Sequence, residues 1–338
     1  MRVGPRNRIT DVPGLSVGNA GDMAARSGVT VVLPDEPATA AVAVLGGAPG
    51  TRETDALDPS CLVDAVHGVV LSGGSAFGLA AADGLMTWLA SRGRGFRVGP
   101  AIVPVVPAAI CFDFLAGGER DWGHEPPYRD LARAAADAAG ADFALGNAGA
   151  GLGAKCGTLK GGLGSASVVL DDGTAVGALV VVNAFGSAVL PGTNTFWAWA
   201  LEQDGEVGGQ TPPVRPLGPE ELDYSFDLPV GANTTIAVVA TDAALTKAQA
   251  ARVALMAHDG MGRALRPVHT PLDGDSVFAL ATGKRPLADP VGGLARIGMA
   301  AADCLSRAIM RGVYEAEALG PWPAYRDLHK TERGERRS

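Results

Sequence analysis

The chain has 338 residues, 47% of them hydrophobic, and a net charge of −8. That length and apolar content supply a large core. The acidic balance, with no clustered Lys/Arg run beyond a tail after Lys330 that Glu332 and Glu335 interrupt, speaks against phosphate recognition and hence nucleic acid.

In chain order, Ile9-Thr10-Asp11-Val12-Pro13-Gly14 through Gly18 reads as a short strand and turn, and Val29 to Leu33 and Ala41 to Leu45 as apolar strands. A loop, Gly46-Gly47-Ala48-Pro49-Gly50-Thr51-Arg52-Glu53-Thr54, follows. His67 to Leu71 is a further strand, ending in Ser72-Gly73-Gly74-Ser75 and leading into a helix with Leu79, Ala82, Leu85, Met86 and Leu89 on one face. Prolines break the apolar stretch Ala101 to Leu115 into edge strand or buried loop. Residues 117–128 read as surface loop and Asp130 to Ala139 as an Ala-rich helix. Strands near Ser165 to Leu170 and Ala175 to Val182 flank Asp171-Asp172-Gly173, a hairpin signal. Residues 190–230 are proline-rich and polar, a long excursion before the strand 235–241. Thr246 and Gln249 form a capping box for a helix through Met256, ended near Gly260. Ser276 to Thr282 is a strand, and Arg296 to Arg311 a helix with Ile297, Ala301, Cys304, Leu305 and Ala308 inward.

Four dispersed cysteines without a CxxC pair predict reduced, mostly buried thiols in a cytoplasmic protein. The five histidines show no HExxH spacing, so neither a metal nor a cofactor is expected. No apolar run reaches the ~18 residues of a membrane helix, and Met1 to Arg8 lacks an apolar signal core. The 47 glycines, against 5% aromatics, predict tight loops and close backbone approach around a cavity.

The chemistry concentrates at Gly231-Ala232-Asn233-Thr234-Thr235, which opens a strongly apolar strand. If the Asn233–Thr234 bond is cut, Thr234 gains a free amine beside its hydroxyl, and one residue then carries both nucleophile and base. An α-amine titrates near 7.7–8.0 and is a usable base at neutral pH. The plainer reading is that Asn-Thr-Thr only starts a strand. Asp273-Gly274-Asp275 precedes a second apolar strand; paired carboxylates raise one pKa and suit a proton relay or an ammonium anchor, while the alternative is a solvated Asp-Gly turn. The glycine-rich run from Asn147 to Ser167 closes no GxGxxG or GK[ST] register; its amides, with Lys160, would line an oxyanion pocket, or its glycines are structural. Asn183, ending Val180-Val181-Val182, is a candidate oxyanion donor or a strand-end residue. Ser75 with His67 would be a serine-hydrolase pair, but Phe77 stands where GxSxG requires glycine.

Taken together and in order, these segments resemble the self-processing family of L-aminopeptidase/D-esterases (DmpA-like), β-peptidyl aminopeptidases and nylon-oligomer hydrolases. The resemblance runs from about Ile9 to Asp327 and rests on the segments at 9–14 and 46–54, on Leu71-Ser72-Gly73-Gly74-Ser75-Ala76-Phe77-Gly78-Leu79, on Lys160-Gly161-Gly162, and on Asn233-Thr234-Thr235 and Asp273-Gly274-Asp275. It implies a four-layer α/β/β/α sandwich, resembling N-terminal-nucleophile hydrolases with different connectivity. The chain would be a single hydrolase domain, 1–338, that cuts itself into fragments 1–233 and 234–338. Thr234 matches the nucleophile and Asn183 the oxyanion Asn. Asp273 and Asp275 fall where the nylon-oligomer branch has two acids and the aminopeptidase branch has Ser and Glu. Lys160 matches the lysine before the double glycine, with Thr158 a competing alignment. Phe112 stands where relatives place a Tyr hydroxyl, so Asn183, Lys160 or backbone amides would substitute for it. The implied substrate is a small peptide or amide, and homo-oligomers are expected. Two alternatives keep the same fold: an amidase on pantetheine-like or ω-amino-acid amides, and a small-molecule binder in which Thr234 never becomes terminal.

Overall fold

The computed structural model describes residues 1–223 and 233–328. The end of the 190–230 excursion, at 224–232, and the basic tail after Lys330 lie outside the described residues. A six-stranded sheet runs in the order Arg2–Val3, Gly162–Val169, Ala175–Asn183, Thr234–Ala243, Ser276–Arg285, Thr39–Val44. Its neighbours are antiparallel except Thr234–Ala243 beside Ser276–Arg285, which are parallel. Parallel neighbours need a crossover, and the helix Lys247–Ala264 supplies it. A five-stranded sheet runs Leu15–Asp22, Ser27–Pro34, Val69–Ser72, Ala108–Ile110, Thr51–Arg52.

The strands of the six-stranded sheet are apolar on both faces, which explains their near-continuous hydrophobic runs. Leu179, Val181, Ile236, Val238, Phe278 and Leu280 turn to the other sheet and meet Val17, Val32, Val69 and Leu71. Their alternates Val180, Val182, Ala237, Val239, Val277 and Ala279 turn the opposite way. There they meet Val253, Ala257 and Met261 of Lys247–Ala264 and Leu305, Ala308 and Ile309 of Gly292–Tyr314. Beyond the five-stranded sheet, Val29, Val31, Leu33 and Val70 pack on Leu85 and Leu89 of Ala81–Ser91 and on Ala132 and Ala135 of Tyr128–Asp137. Three apolar seams between four layers make the expected α/β/β/α sandwich. Among the described residues no helix is long and apolar enough to cross a membrane.

Small residues let the layers approach. A Cβ on Gly164 would lie 1.9 Å from the Ala308 carbonyl oxygen, so the helix Gly292–Tyr314 rests directly on the strand backbone. Gly260 corrects one expectation. The helix does not end there but continues to Ala264, because this glycine is a contact point; its Cβ would fall 2.2 Å from the Ala302 carbonyl oxygen of the neighbouring helix. The capping box itself is present. The last long helix begins at Gly292 rather than Arg296, since Asp289 accepts the Val291 and Gly292 amides at 3.0 and 2.9 Å. Ile9–Asp11 is a 3₁₀ turn rather than a strand, because the Asp11 carboxylate collects the Arg6 and Arg8 amides and the Ser167 hydroxyl. The 101–115 stretch holds two short strands, Ala101–Val103 and Ala108–Ile110.

Two glycines test this packing. Gly164→Val should cost about 1–3 kcal/mol or more through overpacking. Gly262→Ala, on the same helix as Gly260 but with nothing within 4 Å of its Cβ, should stabilise by about 0.4–1 kcal/mol. Urea midpoints read both.

Candidate active site

Thr234 is the first residue of the strand Thr234–Ala243, near the middle of the six-stranded sheet. Register places Asn183 opposite it on one side. On the other side Asn233 bridges to Asp273, at the entrance of Ser276–Arg285. The Asn233–Thr234 junction is thus held from both flanks and is buried, with Thr234 4% and Asn233 1% exposed. The Thr234 hydroxyl donates to the Asn233 carbonyl oxygen, and the Gly274 amide donates to that same oxygen at 3.1 Å. Both side-chain amide atoms of Asn233, and the Thr235 hydroxyl, lack a hydrogen-bond partner among the described residues.

The two acids are filled by different donors. Asp275 accepts the Thr235 amide at 2.8 Å through Oδ1, and through Oδ2 the His269 amide at 3.1 Å, with His269 Nδ1 2.8 Å away. It therefore fixes the backbone one residue beyond Thr234. Asp273 accepts the Phe185 amide at 3.1 Å and the Thr270 amide and hydroxyl at 3.2 and 2.6 Å. Burial, and next the Asp275 charge, raise the Asp273 pKa above the ordinary carboxylate value. His269, with φ +53, also stacks edge-on against His258 at 4.8 Å; burial lowers the His258 pKa to about 4.

Asn183 is buried and bridges two segments. Its Nδ2 donates to the Phe112 carbonyl at 3.0 Å, and its Oδ1 accepts the Lys155 amide at 3.0 Å. Phe112 therefore reaches the site through its backbone. Two lysines of the glycine-rich loop are buried. Lys160 Nζ donates to the Gly151 and Gly161 carbonyls at 2.9 and 2.8 Å; burial drops its pKa to about 7, against the pull of Cys111 and Asp113. Lys155 Nζ reaches the Ala184 carbonyl at 3.4 Å; burial lowers its pKa too, opposed by Cys156 and then Asp273. Of the two, Lys155 is thus the one that shares a field with Asp273. Lys155 and His269 are not among the candidates named from sequence; the signals that point to them are a second lysine in the same loop and a histidine just before the paired acids. Thr158 is a turn residue between the short strands Lys155–Cys156 and Leu159–Lys160.

The Gly46-Gly47-Ala48 motif clamps the acidic loop. Amides of Gly46, Gly47 and Ala48 donate to the Asp275, Thr270 and Asp273 carbonyls at 3.2, 3.2 and 2.8 Å. A Cβ on Gly46 would meet Asp275 N at 2.2 Å, and one on Gly47 would meet Pro271 Cα at 2.6 Å. The Ser72-Gly73-Gly74-Ser75 turn belongs to another buried cluster. Asp113 there accepts Ser27 Oγ at 2.6 Å and the Gly74 amide at 2.9 Å, and Tyr128 donates to Ser27 at 3.2 Å. No hydrogen bond joins Ser75 to His67, whose ring accepts the Val105 amide at 3.1 Å. Among the described residues no group of three His, Cys, Asp or Glu side chains is placed to hold a metal ion.

A four-layer sandwich whose central strand opens on a buried threonine beside two acids and an amide defines a class: amide-bond hydrolases built like the N-terminal-nucleophile enzymes. The chain belongs to peptidase family S58, whose profile matches residues 7–321. It is 44% identical over 345 residues to an uncharacterized aminopeptidase of Mycobacterium tuberculosis, covering 95% of this chain and 98% of that one. It is 30% identical over 279 residues to a 6-aminohexanoate-oligomer endohydrolase of Agromyces sp., covering 80% and 74%. The L-aminopeptidase D-Ala-esterase/amidase of Ochrobactrum anthropi, described as a variant of the Ntn hydrolase fold, superposes with a TM-score of 0.68 at 23% identity, over 99% of this chain and 96% of that one.

The depressed Lys160 pKa gives a pH signature. An unfolded lysine titrates near 10.4, whereas the folded one loses its proton at about 7. Between these values the unfolded chain binds the extra proton, so the Lys160 contribution makes stability rise with pH from about 7 towards 10. Lys160→Met should flatten that rise by up to about 1.4 kcal/mol per pH unit. Denaturant midpoints across that range measure it; an unchanged slope places the Lys160 pKa at its ordinary value.

Proposed function

We propose that the chain cuts itself between Asn233 and Thr234, and that the newly terminal Thr234 hydrolyses small peptides and other linear amides through an acyl ester. One observation carries this reading: the Thr234 hydroxyl lies against the carbonyl group of its own preceding peptide, in a buried junction flanked by Asn183 and Asp273. The family membership and its aminopeptidase and oligomer-hydrolase relatives support it.

In turnover the Thr234 amine takes the hydroxyl proton as Oγ adds to the substrate carbonyl. Its pKa near neutrality suits that exchange. Asn183, opposite Thr234, supplies an amide donor to the oxygen that gains charge. Asp275 holds the strand start through the Thr235 amide, and Asp273 and Asp275 set the field around the terminal ammonium. Lys160 acts at a distance by tying the Gly151 and Gly161 carbonyls, which keeps the glycine loop in place. The leaving amine departs with a proton, and water then releases the acyl group.

Purified protein should run as two fragments, the smaller beginning at Thr234. Thr234→Ala should stay whole and inactive. Asn183→Ala should lose about 10²–10³ in kcat, or ~2.7–4 kcal/mol of barrier, with its melting temperature as the check on folding. N-terminal sequencing and intact mass decide; an active sample with an unbroken chain overturns the reading.

A further inference from the structure

The residue between the two acids has no side chain, yet it makes the most direct contact with the junction. The Gly274 amide donates to the Asn233 carbonyl oxygen at 3.1 Å. That oxygen takes on negative charge when Thr234 Oγ adds to the Asn233 carbon. The peptide unit that carries the donor is pinned at its other end, where the Asp273 carbonyl accepts the Ala48 amide at 2.8 Å. The following carbonyl, that of Gly274, accepts the Ser276 hydroxyl at 3.0 Å. The 273–274 peptide dipole is therefore oriented before any reaction, with its positive end on the scissile carbonyl, the condition under which a donor stabilises a transition state without reorganising. Donation into the Asp273 carbonyl also polarises the Gly274 N–H.

Glycine is required here for approach and not for backbone conformation. Gly274 has no left-handed φ, but a Cβ on it would stand 2.8 Å from Thr234 Oγ1, 3.1 Å from Thr234 Cγ2 and 2.6 Å from the Ala48 carbonyl oxygen. Any side chain would push the donor off the oxygen or the hydroxyl off its carbonyl.

We propose that the Gly274 amide is an oxyanion donor for the self-cleavage step, an assignment that rests on the processing reading above. Thr234 Oγ bonds to the Asn233 carbon, the charge on the oxygen is held by the Gly274 N–H, and the carbon–nitrogen bond then breaks. The hydroxyl proton ends on the departing nitrogen, leaving an ester. Water splits the ester, gives Asn233 its carboxyl group and returns the hydroxyl to Thr234.

The test removes the donor and adds no atom. Cell-free synthesis with an acylated suppressor tRNA places glycolic acid at position 274, exchanging the N–H for an ester oxygen. Leucic acid at Leu280, in the same parallel ladder but away from the junction, is the control for general loosening of the strand. Loss of the intact mass is followed with time for the wild-type chain and both esters. The expected result is cutting slowed about 10²–10³-fold by the ester at 274 alone. Wild-type cutting with glycolate at 274, or equal slowing by both esters, overturns the assignment. A wild-type chain that never cuts, like its Thr234→Ala control, overturns the processing reading itself, and this assignment falls with it.

Discussion

A carboxylate on a main-chain amide sets the position of everything else in the site. Asp275 accepts the Thr235 N–H at 2.8 Å, and both groups are buried. A hydrogen bond to a carboxylate in such a setting is worth more than one between neutral groups, and breaking it leaves a buried carboxylate oxygen and a buried amide without partners. The start of the strand therefore cannot slide. With Thr235 fixed, Thr234 faces Asn183 by register, and the Asn233 carbonyl meets the Gly274 amide. The same carboxylate is anchored by His269, so the loop that carries the acids and the strand that carries the threonine form one unit.

Glycine makes that unit possible. The acidic loop is gripped by three successive amides from residues 46–48, two of them on glycines whose Cβ atoms would strike the loop backbone. At Gly161, beside the neighbouring strand Ala175–Asn183, the approach is as close; a Cβ there would lie 2.0 Å from the Val182 carbonyl oxygen, next to Asn183. Four segments distant in sequence approach at backbone contact distance, a spacing no side chain permits. Part of the high glycine count follows from this requirement.

Those facts explain what could be read in advance. Doubly apolar runs such as Ile236 to Ala240 identify buried central strands because both faces of the sheet are covered. The Asp171-Asp172-Gly173 turn and the Thr246–Gln249 box are local chemistry and need no tertiary knowledge; Gly173 has φ +86 and the box closes as expected. The helix end near Gly260 was not legible, since a glycine that ends a helix and one that admits a neighbouring helix look alike in sequence. Nor was the difference between Lys155 and Lys160. They lie five residues apart and both are buried, but only the tertiary fold directs Lys160 to the Gly151 and Gly161 carbonyls and Lys155 to the Ala184 carbonyl, within the field of Asp273. The sequence signals His269 only by its place before the paired acids, because its role lies in a hydrogen bond to a residue six positions on.

The location of the junction also determines what a cut would do to the fold. It falls at the very first residue of a strand, so every later rung of that strand's two ladders survives. In the six-stranded sheet the two strands that follow position 233, Thr234–Ala243 and Ser276–Arg285, lie between strands that precede it, Ala175–Asn183 on one side and Thr39–Val44 on the other. The apolar seams are shared in the same way, with Leu179 and Val181 against Ile236 and Phe278 in one, and Val180 and Val182 beside Val239 and Leu305 in another. Separating the two pieces would expose both seams at about 25 cal/mol per Å² of apolar surface and strip Thr234–Ala243 and Ser276–Arg285 of one neighbouring strand each. Severing one peptide bond removes none of that burial. A chain folded in this way can lose the continuity of its backbone at Thr234 while keeping the carboxylate, the amides and the glycine contacts that hold the threonine in place.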